Sequence, residues 1–121
     1  MQIKTDNYCE SFFPVVGKNP KILILGTIPG RKSLEMQEYY SHPRNIFWKI
    51  IFNLLKVTEK NTYSEKIELV KEKQIALWDV CYSCRREGSL DSNIKDETPN
   101  QITNFLQKHP SIERIIFNGQ K

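Results

Sequence analysis

The chain has 121 residues, 39% of them hydrophobic and 26% charged, which predicts one globular domain over residues 1–121 built on a single core. Its 18 Lys+Arg against 14 Asp+Glu give a formal charge of +4, a balance that suits an anionic partner such as nucleic acid. The longest apolar run, Ile46 to Leu55, is broken by Lys49 and Asn53, and no charged-then-apolar leader opens the chain. Neither a membrane span nor a signal peptide is therefore predicted, and the expected compartment is the cytoplasm, in association with the nucleoid.

Residues 1–20 hold Pro14, Gly17 and Pro20 around Phe12-Phe13 and read as an arm or short helix leading into the fold. Lys21 to Gly26 is a short apolar run closed by glycine, the pattern of a strand buried on both faces that delivers a loop at its carboxyl end. From Arg44 the spacing changes: Phe47, Ile50, Ile51, Leu54 and Leu55 recur at three and four residues, one apolar face of a helix running to about Lys56. Thr62 followed by Glu65 is a capping box for a second helix with Ile67 and Val70 inward, and Lys56, Lys60, Lys66, Lys71 and Lys73 read as its solvated surroundings.

Ile75 to Val80 and Glu113 to Asn118 read as two further buried strands, the last one stopped by Gly119. Between them Thr98-Pro99-Asn100-Gln101 supplies an N-cap, a proline at the first helical position and a glutamine at the third, so that Ile102, Phe105 and Leu106 face the core. His109 before Pro110 reads as a helix C-terminal dipole partner. Strands alternating with helices imply an α/β fold whose sheet is largely parallel with helices on both faces. In such sheets ligands bind at the carboxyl ends of the strands, so Gly26 to Gly30, Asp79 and Asn118 are expected on one rim.

Three cysteines, Cys9, Cys81 and Cys84, include a lone CxxC around Tyr82-Ser83 with no second pair to complete a tetrahedral site. They read as buried, reduced thiols, and no metal or other cofactor is expected. The loop Gly26-Thr27-Ile28-Pro29-Gly30 brings backbone close to a ligand but matches neither nucleotide phosphate loop, GxxxxGK[ST] or GxGxxG. Standing alone it would read as a tight turn. It is followed by Tyr39-Tyr40 and by His42-Pro43-Arg44-Asn45-Ile46-Phe47-Trp48, which combine rings for stacking a base, a guanidinium for phosphate, and an amide and an imidazole for polar contacts. Phe47 and Trp48 also fit a core role, whereas Tyr39, His42, Arg44 and Asn45 precede the apolar face, where burial explains them poorly.

The segments GTIPG, SLEMQEYYSHPRNIFW, ALWDVCYSCRREGSLDSNI and IIFNG occur in that order, and together they resemble the deoxyinosine (hypoxanthine) DNA glycosylases, a branch of the uracil-DNA glycosylase superfamily. The resemblance spans nearly everything from Lys21 to Lys121. It implies a three-layer α/β/α domain that flips a deaminated base, hypoxanthine or uracil, out of DNA and hydrolyses its N-glycosidic bond without a cofactor. The superfamily's usual water-positioning Asp or Asn, at the third position of the first loop, is replaced here by Ile28, which can neither bond a water nor stabilise positive charge. In the deoxyinosine branch the catalytic group is the asparagine of HPRN, which carries over to Asn45. Base-binding candidates are Thr27, Ile28, Pro29, Gly30, Tyr39, Tyr40, His42, Phe47, Asp79 and Asn118; DNA-backbone candidates are Arg44, Arg86 and Ser89. Asp79 occupies the place of a base-reading asparagine in related families, and its carboxylate would accept from N1–H of hypoxanthine while repelling the bare N1 of adenine. The plainer reading of Asp79 is a loop-bracing or capping residue. Asn118 before glycine also fits a simple turn former.

The family continues past its FNG motif with a helix, a strand and a minor-groove loop, so the resemblance implies that this fold lacks its last strand and helix. Self-association or a complementing segment is then expected, since a missing strand exposes an edge. Two other readings stay open: a mismatch-specific uracil or thymine glycosylase, against which Ile28 and GSLDS argue, and a non-catalytic DNA-binding fragment, which would bind in a salt-dependent way without making abasic product.

Overall fold

The computed structural model describes residues 8–41, 45–86 and 94–118. In chain order the elements are β1 (Tyr8–Glu10), β2 (Ile22–Gly26), α1 (Arg31–Met36), α2 (Phe47–Leu55), α3 (Tyr63–Glu72), β3 (Ile75–Asp79), β4 (Cys81–Arg85), β5 (Lys95–Pro99), α4 (Ile102–Lys108) and β6 (Arg114–Phe117). The three apolar runs legible in the sequence form one parallel sheet of order β3-β2-β6, with Leu23 level with Ala76 and Ile115, and Ile24 with Leu77 and Ile116.

Because side chains alternate along a strand, the two faces of this sheet carry different residues. Ile24, Ile75 and Leu77 meet Phe47, Trp48, Ile51 and Phe52 of α2 and Leu69 and Val70 of α3. Leu23, Leu25 and Ala76 meet Phe105 of α4, with Trp78, Ile102 and Leu106 beside it. Helices on both faces make the three layers that the alternation of elements predicts. Leu23, Leu77 and Val70 are among the most completely buried side chains, each worth about 1.5–3 kcal/mol of apolar burial. The capping box is present: Thr62 Oγ1 accepts from the Glu65 amide at 3.2 Å, and Glu65 Oε1 accepts from the Thr62 amide at 3.2 Å. The three cysteines are thiols outside any disulfide, buried and packed together with Ile94, and burial pushes the Cys84 thiol up to about 11. His109 is the C-cap of α4 and lies against the Phe105 ring.

Five expectations need correction. A separate antiparallel sheet of order β1-β4-β5 accompanies the parallel one. Its strand β5 (KDETP) is exposed throughout and carries no apolar alternation, so nothing local announces it; pairing with β4 makes it a strand. Thr98-Pro99 therefore closes a strand instead of opening a helix, and α4 begins at Ile102 after Gln101. Asn100 pins the crossing, its Nδ2 donating to the carbonyls of Asp79 at 2.8 Å and Cys81 at 3.2 Å. The arm is strand β1 with a bridge from Val15 to Leu77, not a helix, and the Trp78 indole holds it by donating to Phe12 O at 3.1 Å.

The last two corrections concern exposure. Ile50 and Leu54, read as core, are exposed on α2, because the apolar stripe of that helix is wider than the sheet face that covers it. The edge strand β6 is likewise exposed at all four residues. Ile50, Leu54, Ile116 and Phe117 line an apolar groove of about 590 Å³ between them. Among the described residues no helix is long and apolar enough to cross a membrane.

Candidate active site

Strands β2, β3 and β6 run in parallel, so their carboxyl ends stand side by side. The Val80 amide donates to Gly26 O at 2.8 Å, the Cys81 amide to Thr27 O at 3.0 Å, and the Asn118 amide to Leu25 O at 2.7 Å. These bonds hold the loop after β2 against the ends of its two neighbours. A cleft of about 250 Å³ opens there, lined by Pro29, Gly30, Tyr40, Asn45, Asp79 and Asn118.

Gly26 forms part of the floor and has no room for a side chain. A Cβ added there would lie 2.6 Å from Asp79 Oδ1, 3.4 Å from the Tyr40 hydroxyl oxygen and 3.6 Å from Asn118 O. Asp79, only 3% exposed, and the Tyr40 phenol thus close on the same point from two directions. Burial pushes the Tyr40 phenol up to about 12; the Asn118 side chain lowers it and the Asp79 carboxylate raises it further. Burial likewise holds Tyr39 far above the ordinary phenol range, with Asp79 adding to the effect. Both tyrosines are therefore neutral hydrogen-bonding groups at physiological pH.

The aromatic run divides between core and cleft. Tyr40 adopts φ 56°, a left-handed conformation that costs a non-glycine residue on the order of 1 kcal/mol. It stacks on Phe47 with ring centroids 3.7 Å apart and 20° between planes. Trp48 Nε1 donates to Tyr39 O at 3.0 Å, and the Tyr39 amide donates to the Tyr63 hydroxyl at 3.1 Å. Tyr39, expected to stack on a base, is 2% exposed and packed edge-on against Phe12; it reaches the cleft as wall. Phe47, also expected at the base, is buried behind Tyr40 and lines the apolar groove.

Asn45, two residues before the start of α2, is exposed and lines the cleft. Its Oδ1 accepts from the Phe47 amide at 2.8 Å, satisfying one of the orphan donors of the helix start and setting the direction of the side chain. An amide oxygen has a second lone pair and the amide nitrogen two donors, so this anchored group still has hydrogen-bonding capacity for a cleft ligand.

The first loop holds two surprises. Ile28 is 6% exposed and packs with Cys9, Cys81, Cys84 and Ile94, which explains an apolar residue at that position, although it also borders the cleft. Thr27, expected at the base, is buried and serves through its backbone carbonyl, away from the cleft wall. Arg86, expected on DNA phosphate, is 2% exposed and its Nη2 donates to Pro29 O at 2.6 Å. A guanidinium so enclosed braces the loop from behind and does not reach a DNA backbone. His42, Arg44 and Ser89 lie outside the described residues. Two residues that sequence reading passed over, Lys32 and Ser33, also line the cleft. Ser33 Oγ accepts from the Ser41 amide at 2.9 Å, tying α1 to the tyrosine segment. The basic pair directly after Gly30 was the available signal for Lys32.

The family description "Uracil DNA glycosylase superfamily" matches residues 13–118. Over 113 residues, 93% of this chain and 72% of each relative, the sequence is 37% identical to a hypoxanthine DNA glycosylase from Methanosarcina barkeri and 38% identical to one from Methanosarcina acetivorans. The solution structure of a candidate uracil DNA glycosylase from Methanosarcina acetivorans superposes with a TM-score of 0.85 at 36% identity, covering 94% of this chain and 71% of that one.

Proposed function

Because the chain belongs to the uracil DNA glycosylase superfamily, we propose that it is a base-excision DNA glycosylase whose cleft takes hypoxanthine flipped out of DNA and hydrolyses its N-glycosidic bond. The observation that carries this reading is the meeting of Asn45, Asp79 and the loop of Pro29 and Gly30 in one cleft at the carboxyl ends of parallel strands. Its size is that of a single nucleoside. Flipping is required because the bond to be cut is inaccessible within the stack, and a deaminated, mispaired base costs less to extract than a paired one.

Asp79, as an acceptor at the base of the cleft, takes N1–H of hypoxanthine and repels the unprotonated N1 of adenine, which separates the deaminated base from its parent. Asn45 works at the sugar. Cleavage passes through an oxocarbenium-like state in which the C1′–N9 electron pair leaves with the base. The Asn45 amide cannot act as a strong base, but its oxygen orients a water toward C1′ and faces the positive charge that grows on the sugar. In the net reaction the water's hydroxyl ends on C1′ and its proton on hypoxanthine. Ile28, buried among thiols, takes no part in activating water. The DNA is the partner that the charge of +4 favours, and Lys32 at the cleft wall is placed to meet a phosphate.

The test is excision from oligonucleotides carrying one hypoxanthine, single-stranded and duplex, beside uracil-containing and unmodified controls. Abasic product is expected from hypoxanthine DNA and not from unmodified DNA. Asn45→Ala should slow it by roughly two to three orders of magnitude, the scale of losing one polar group that stabilises a transition state. Hypoxanthine DNA left intact by the wild-type chain would overturn the reading.

A further inference from the structure

Resting on the reading of the cleft as a base pocket, we propose that the Tyr40 hydroxyl donates a hydrogen bond to the 6-oxo group of the flipped base and, with Asp79, forms the donor–acceptor pair that recognises it.

The floor of the cleft carries the argument. The point a Gly26 Cβ would occupy lies 2.6 Å from Asp79 Oδ1 and 3.4 Å from the Tyr40 hydroxyl oxygen, so both polar atoms converge on one spot that only glycine leaves open to them. One of these is a carboxylate acceptor and the other a hydroxyl able to donate, both within reach of the same point. The edge of hypoxanthine offers the complementary pattern, an N1–H donor next to an O6 acceptor, and uracil offers the same pattern at N3–H and O4. Adenine reverses it, with an amino donor beside a bare N1. An acceptor alone reads half of this pattern, while a donor and an acceptor together read it whole.

Tyr40 acts here through its hydroxyl and not through its ring. One ring face is already covered by Phe47 at 3.7 Å between centroids, and Trp48 stands edge-on to it at 6.4 Å between centroids. That packing aims the phenol along the cleft floor, toward Gly26 and Asn118. The left-handed backbone at φ 56° is an expense that an aromatic residue serving only as filler would not need to carry.

Charge gives the hydroxyl a second task. As C1′–N9 breaks, negative charge spreads over the departing base as far as O6. A carboxylate at N1–H opposes that charge, so a neutral donor at O6 is needed beside it. The phenol remains protonated in this role, as its burial beside Asp79 favours, and no proton is transferred from it.

The experiment compares wild type with Tyr40→Phe, which keeps the ring and its stack on Phe47 and deletes only the hydroxyl. Single-turnover excision of hypoxanthine and uracil is measured alongside affinity for DNA containing a stable abasic analogue, and thermal stability. Excision of both bases should slow about 10- to 100-fold, with affinity for base-free DNA changed less than twofold and melting nearly unchanged. An active wild type with Tyr40→Phe excising at the same rate would overturn the assignment while sparing the glycosylase reading. Equal losses of excision and abasic-DNA affinity would also overturn it, marking Tyr40 as structural. A wild type that excises neither base would remove the underlying reading itself.

Discussion

Gly26→Ala tests the closest approach in the cleft. The glycine has no left-handed φ, so alanine is compatible with its backbone, and the difficulty is purely one of space: the new Cβ would lie 2.6 Å from Asp79 Oδ1. Asp79 is 3% exposed and cannot swing into solvent, so the overlap must be relieved within a packed site, at about 1–3 kcal/mol. Restricting the unfolded chain returns roughly 0.4–1 kcal/mol, which leaves a net loss on the order of 1–2 kcal/mol. For a domain of this size each kcal/mol lowers Tm by roughly 3–6 °C. The assay is a double-mutant cycle by thermal and urea denaturation with Gly26→Ala and Asp79→Ala, singly and together. In the Asp79→Ala background the next contact is 3.4 Å away, so the glycine substitution should there be neutral or slightly stabilising, a coupling of at least 1 kcal/mol. An equal cost of Gly26→Ala in both backgrounds would refute the packing argument and, with it, the placement of Asp79 on the cleft floor.

Two further outcomes are expected. Arg86→Met removes the donor to Pro29 O and should cost about 1–3 kcal/mol in urea denaturation while raising KM for hypoxanthine DNA more than it lowers kcat, since the loop is loosened rather than the chemistry; an unchanged urea midpoint would show that the brace contributes nothing. The raised phenols make stability pH-dependent at the alkaline end. Below pH 10 tyrosines are protonated in both folded and unfolded states, but above it the unfolded chain loses protons that folded Tyr40 retains to about pH 12. Stability should therefore be fully present below about pH 10 and fall as pH rises toward 12, with Tyr39 and Tyr63 shifted in the same direction. Phenolate absorbance in a titration should lag that of free tyrosine and rise together with loss of helical signal; early, unfolding-independent ionisation of Tyr39, Tyr40 and Tyr63 would contradict the burial.

What the residue pattern settles by itself is whatever a short stretch of chain can specify alone. Apolar runs ending in Gly26, Val80 and Asn118 mark the three parallel strands, and the Thr62–Glu65 box starts α3 where it should, because hydrophobic period and capping act between neighbours in sequence. The pattern also brings Asn45 and Tyr40 together near one site, since loops that follow buried strands share a rim. Other features depend on partners distant in sequence, and local composition is silent about them. The exposed, charged stretch of β5 is a strand only because β4 offers it hydrogen bonds. Arg86 turns inward and donates to the Pro29 carbonyl, so a basic residue in a polar segment became a brace. Ile50 and Leu54 have the spacing of core residues but stay exposed, because burial requires a facing surface as well as an apolar side chain. The opposition of Asp79 and Tyr40 across Gly26 arises where separate elements converge; that convergence is a property of the packed sheet, and it determines which chemical groups a bound base would meet.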